Sequence, residues 1–161
     1  MFFANDKSEL LTPEQVLQMS GLTFMQKMLD GQIPGPPMAQ TMGYRLHSVE
    51  DGRVAFRGAP GFDVSNPMGT VHGGWYGTVL DSAMACSVMT RVPPGSTYTT
   101  LEYKINIIRS IPQGTNIECI GTVDHVGRST AISHGEIRGI DDNRLYATGS
   151  TTCIIMDMSK R

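Results

Sequence analysis

Charge is scarce in this chain. Asp, Glu, Lys and Arg make up 17% of its 161 residues, with 13 basic against 15 acidic side chains and no run of Lys or Arg. A surface that neutralises phosphates needs clustered positive charge, so the composition gives no basis for a nucleic-acid or anionic-membrane partner. It leaves a small molecule or a second copy of the chain. Cysteine is equally sparse: Cys86, Cys119 and Cys153 are odd in number and form no C-x-x-C pair. That pattern argues against a disulfide framework or a metal site and reads as reduced thiols in a cytoplasmic protein. No apolar run approaches the roughly 20 residues that span a bilayer, and the N-terminal residues carry no positive leader ahead of an apolar stretch. A soluble, intracellular protein is expected.

A length of 161 residues suits one domain with a sizeable core. Thr12-Pro13-Glu14-Gln15 combines a helix cap, proline at the first helical position and glutamine at the capping-box position, predicting a helix to about Leu29 that Gly21 can divide. Gly31 to Met38 is dense in Gly and Pro and reads as a loop. Between Met42 and Ala59 two extended runs flank Asp51-Gly52, a strong hairpin turn. One long apolar helix follows, ending near Pro93-Pro94-Gly95. Then come Thr97 to Ile111, Thr115 to His125, and Ser129 to Cys153, the last broken at Asp141-Asp142-Asn143. One long helix among short-turned strands predicts an α+β fold with an antiparallel sheet. A single domain is expected over residues 1–161, divided into an N-terminal helical segment and loop, 1–41, and a core, 42–156.

The apolar helix opens as N-P-M-G-T-V-H-G-G-W-Y-G-T-V-L-D from Asn66 to Asp81. At 100° per residue Tyr76, Val79, Leu80, Ala83, Met84 and Ser87 share one side, and Gly74, Thr78, Asp81 and Ala85 the other. Neither side carries solvating charge apart from Asp81, so the helix is expected to be buried. Such an acid can be a structural hydrogen-bonding residue. The glycines change the balance, because His72-Gly73-Gly74 leaves unpaired N–H groups at the helix start where a carbonyl oxygen can approach closely.

The N-x-x-G-x-x-H-G-G motif, with an acid nine positions after its histidine, resembles the hotdog-fold acyl-CoA thioesterases of the phenylacetic-acid-degradation (PaaI-like) subgroup. The likeness continues through Thr99 to Arg109, Val126 to Ser129 and Asp142 to Ala147, about two-thirds of the chain. It implies an antiparallel sheet wrapped around one long helix, a homodimer or dimer of dimers, and hydrolysis of an acyl-CoA at the subunit interface. It makes Asp81 the nucleophile or general base, Gly73 the backbone oxyanion donor and Asn66 its helper. Thr100, with Thr99 as alternative, becomes the hydroxyl early in the next strand, and His72 mainly fixes the loop. Arg128 and Ser129 resemble the turn that meets the coenzyme A phosphates, with Arg109 a second candidate. Gly74 and Trp75 fall beside the substrate, although Trp75 reads more readily as core. Ser110 departs from the family, which commonly has proline there.

A thioester needs little beyond these groups. Its thiolate leaves readily, since thiols ionise near pH ~8.5, so neither a Ser-His-Asp triad nor a cofactor is required. His47, His125 and His134 lack metal spacing. The expected activity is hydrolysis of a medium-chain or aromatic acyl-CoA. A non-catalytic acyl-CoA sensor is the alternative, and a hotdog dehydratase fits the spacing less well. Asp81 lies on the order of 10 Å along the axis from the helix-start amides, too far to serve one carbonyl, so two antiparallel copies of the helix are expected to share each site.

Overall fold

A computed structural model describes residues 2–158. Helices α1 (Pro13–Leu17), α2 (Gly21–Leu29) and α3 (Pro37–Thr41) precede strands β1 (Tyr44–Glu50) and β2 (Arg53–Gly58). The long helix α4 (Gly73–Met89) follows, and then β3 (Ser96–Ile107), β4 (Ile117–Val126), β5 (Thr130–Gly139) and β6 (Leu145–Asp157). The six strands form one sheet in the order β1-β2-β4-β5-β6-β3, with every neighbouring pair antiparallel. The expected α+β architecture is present.

Local chemistry explains most boundaries. The Thr12 hydroxyl accepts from the Gln15 N–H while the Gln15 side chain accepts from the Thr12 N–H, the reciprocal cap written in the sequence. The helix then stops, and Ser20 caps a second one, so Gly21 does divide the segment. The reason is a tertiary contact. A Cβ at Gly21 would overlap the Met89 carbonyl oxygen, and the Gly21 N–H donates to Val92 O at 2.9 Å, so α2 starts hard against the end of α4. The Gly31–Met38 stretch is not loop throughout: α3 begins at Pro37, where the missing N–H is harmless in a first helical turn. Gly52, with φ of 77°, turns β1 into β2 as Asp-Gly predicts.

The sheet curves around α4, whose Val79, Leu80, Ala83 and Met84 are fully buried. Close approach is possible because Gly121, Gly135 and Gly149 stand opposite one another on β4, β5 and β6. A Cβ at Gly121 would overlap the Ala83 backbone, and one at Gly135 would meet Met84 Cγ at 2.8 Å. The helix lies in a groove cut by missing side chains.

Candidate active site

His72 caps α4. Its Nδ1 accepts from the Gly74 N–H at 2.8 Å and its carbonyl from the Trp75 N–H at 3.0 Å. The ring therefore holds the start of the helix. Among the described residues no acceptor meets the Gly73 N–H, so Gly73 rather than Gly74 presents a free donor at the helix start. Asn66 builds the loop before it. Its side-chain oxygen accepts from the Met68 and Thr70 N–H groups, and its Nδ2 donates to Thr70 Oγ1 at 2.8 Å.

Asp81 sits two turns further along α4 and is half-buried. Thr100 Oγ1 donates to its Oδ1 at 3.0 Å, which separates Thr100 from the exposed Thr99. Burial raises the carboxyl's pKa above the ordinary 3.8, and the Thr100 bond offsets part of the rise. Just beyond Thr100 the β3–β6 register slips, with Thr100 facing Cys153 and Glu102 facing Thr152. Leu101 is the extra residue of this bulge, which re-aims the strand beside the carboxylate.

The two proposed halves of the chemistry stand apart within the chain. A Cβ on Gly73 would meet Ile107 at one end of β3, while Asp81 meets Thr100 seven positions earlier in that strand. Along the helix, eight residues amount to about 12 Å. The arginines are also separated. Arg128 and Ser129 line a cavity of about 550 Å³ with Arg91 and Ser96 near the start of β3, whereas Arg109 follows its other end, its N–H donating to Tyr146 O. At Ser110, where the family commonly has proline, the chain is anchored by the Ile111 N–H donating to the buried Tyr76 hydroxyl at 2.8 Å. Trp75 is 2% exposed, and its indole N–H donates to Met42 O at 2.9 Å, so it belongs to the core. Only its margin reaches the open cleft beside His72.

Sequence reasoning passed over the neighbours of Asp81 on the other side of the helix. Ser82 Oγ and the buried Tyr44 hydroxyl lie 2.8 Å apart, and the pKa of the partly buried Cys86 thiol is pushed up to about 12, chiefly by desolvation. Both Ser82 and Cys86 face an apolar cavity beneath α1 and α2. The visible signal was the stripe Ser82, Cys86, Met89, too mixed in polarity to stand out.

An antiparallel sheet wrapped on a long glycine-started helix that carries one acid defines a hotdog-fold protein. Residues 68–146, close to half of the chain, match the family model described as Thioesterase superfamily. That match, with the solved structures similar to this chain, supports a hotdog-fold, PaaI-like thioester hydrolase. It is similar to a phenylacetic acid degradation-related protein from Ralstonia eutropha JMP134, at 27% identity and a TM-score of 0.74 over 81% of this chain and 98% of that one. A conserved protein from Pseudomonas aeruginosa is 28% identical, with a TM-score of 0.68 over 74% and 93% of the two chains. A Streptococcus pneumoniae thioesterase-type protein, solved with coenzyme A, shares the fold at 21% identity and a TM-score of 0.66, over 74% and 91%. Comparison with curated proteins gives no match.

Proposed function

We propose that the chain hydrolyses acyl-CoA thioesters, with Asp81 of one copy acting on a carbonyl held by the Gly73 N–H of a second copy. The observation that carries this reading is Asp81 itself: a half-buried carboxylate on the central helix, without a basic partner among the described residues and held by one threonine. Such a group is poised to take a proton from water as the water oxygen bonds to the thioester carbon. The oxyanion then collapses and expels the thiolate, which needs no metal or redox cofactor. A single preorganised donor such as Gly73 contributes on the order of 10²–10³ in rate. The coenzyme's phosphates are assigned to Arg128 and Ser129, in line with coenzyme A in the Streptococcus pneumoniae protein.

A second copy is required by the 12 Å or so between Gly73 and Asp81. It also has a place to dock. Strand β3 is an edge of the sheet, 12 residues long, with Leu101, Tyr103 and Ile107 about half exposed. Unpaired edges of this length invite pairing with another chain. In this reading residues 42–156 are the hotdog core and residues 1–41 an added segment of the same domain.

Free thiol released from a panel of acyl-CoAs tests the activity, and Asp81→Asn is expected to lower kcat by ~10²–10⁴ with binding retained. Equal turnover by variant and parent would leave Asp81 a structural acid, and binding without release from any thioester would favour the sensor. Turnover in ¹⁸O-labelled water separates base from nucleophile, since only a nucleophilic Asp81 acquires label. Sharing is tested by refolding Asn66→Ala and Asp81→Asn proteins together. A mixed dimer contains one site of native residues, so activity should return to about half the parental value per mixed dimer. Heterodimers that form without recovery would show that each chain builds its own site.

A further inference from the structure

Residues before β1 lie outside the stretch that matches the family model, yet they cover part of α4. Between α1 and α2 on one side and the Ser82-Cys86-Met89 stripe on the other lies a cavity of about 350 Å³. Its remaining walls include Phe56 of β2 and Thr97 and Tyr98 of β3. Two features tie it to the reacting centre: Ser82 follows Asp81 in the helix, and Tyr98 stands two residues before Thr100. We propose that this cavity receives the acyl chain and that the N-terminal helices set its length, favouring an unbranched, unsubstituted acyl group of medium length. The inference rests on the thioesterase reading above.

The chemistry of the walls selects the occupant. Val16, Phe24, Met25 and Met28 supply the N-terminal side without a charged or hydrogen-bonding side chain. On the helix side, Ser82 already pairs with Tyr44. The hydroxyls of Ser96, Thr97 and Tyr98 are confined to the β3 side, so an aromatic acid hydroxylated at the end that meets α1 and α2 would bury that hydroxyl without a partner, which is costly. Met25, Met28 and Met89 are unbranched and adaptable, suited to a flexible chain. Size agrees. If a methylene takes about the ~30 Å³ that a water claims in the liquid, the space holds on the order of ten carbons. A benzoyl or phenylacetyl group would leave much of it empty. Leu10, Val16, Phe24 and Pro34 also border a second cavity of about 200 Å³, so Val16 stands where the pocket would otherwise continue.

Val16 therefore permits a test in both directions on the full chain. For Val16→Phe, the ratio of kcat/KM for decanoyl-CoA to that for butyryl-CoA should fall at least tenfold. For Val16→Ala, the preferred chain should lengthen by two or more carbons. Met25→Phe serves as a second filling variant, and thermal melting checks that each protein is folded. Decanoate binding by calorimetry gives a readout independent of turnover, with affinity expected to drop at least tenfold in the filled variants. An unchanged chain-length profile and unchanged decanoate affinity in both folded, filled variants would overturn the pocket assignment while leaving thioester hydrolysis intact. Absence of thiol release from every acyl-CoA would instead remove the thioesterase reading, and decanoate binding would still decide the pocket.

Discussion

At Asp81 the proposed catalytic role and stability pull in opposite directions. Burial raises its pKa above 3.8, the value of an unperturbed aspartate, so the folded chain binds this proton more readily than the unfolded chain. Stability from this group is then greatest below the unfolded value and declines as pH rises through the window up to the folded one. At pH 7 the charged carboxylate is a cost. Asp81→Asn, which can still accept from Thr100, should raise the melting temperature at pH 7 while activity collapses, and little difference should remain at pH 3. A lower melting temperature for the variant at pH 7 would refute this account. Thr100→Val removes the one interaction that favours the ionised form. Its kcat/KM profile should show the acid limb moved to higher pH, because the carboxyl pKa moves further up. A limb that stays in place would mean that Thr100 does not govern the ionisation. Thr100 was legible only to within one residue, since Thr99 has the same chemistry. Which of them faces the helix follows from strand phase and from the bulge at Leu101, and neither is marked by composition.

The helix groove makes an equally sharp distinction between elements. At Gly121 an added methyl meets backbone of Ala83 and Met84, which cannot yield without moving α4, whereas at Gly135 the first obstacle is the Met84 side chain. Gly121→Ala should destabilise by the ~1–3 kcal/mol typical of overpacking or more, and Gly135→Ala by clearly less, as read from denaturant midpoints. Equal losses would mean that the helix is free to shift. This groove was present in the sequence as glycines inside three β-rich runs, but strand register must be known before they become one row. The hairpin at Asp51-Gly52 was plain because two adjacent residues carry the whole signal. The short helix α3 was hidden because Pro36 and Pro37, usual loop markers, also suit a helix entry. The cavity by Asp81 was the least legible part of the site. Its walls come from residues scattered between Leu10 and Tyr98, and no local pattern records that α1 and α2 fold back onto α4.

On the scale of the molecule, both sides of the proposed chemistry rest on long-range closures. The helix that carries Asp81 has its floor in β4, β5 and β6, and among the described residues the strand that carries Thr100 has β6 as its one sheet neighbour. That order has a consequence for synthesis. As the chain leaves the ribosome, β3 emerges before β4 and β5 but neighbours neither in the sheet, and it waits for β6 with its backbone N–H and C=O groups unpaired. Non-local pairing of this kind is slow and exposes the chain to aggregation. Nascent chains arrested before Leu145 should therefore resist limited proteolysis poorly throughout β3, and protection should arrive in one step once β6 clears the exit tunnel. Gradual protection as β4 and β5 appear would contradict this. Because β6 holds β3 in the sheet, it acts as a checkpoint on the proposed site: a chain ended before Leu145 should fail to keep Thr100 against Asp81 and, under the proposed mechanism, should be inert rather than partly active.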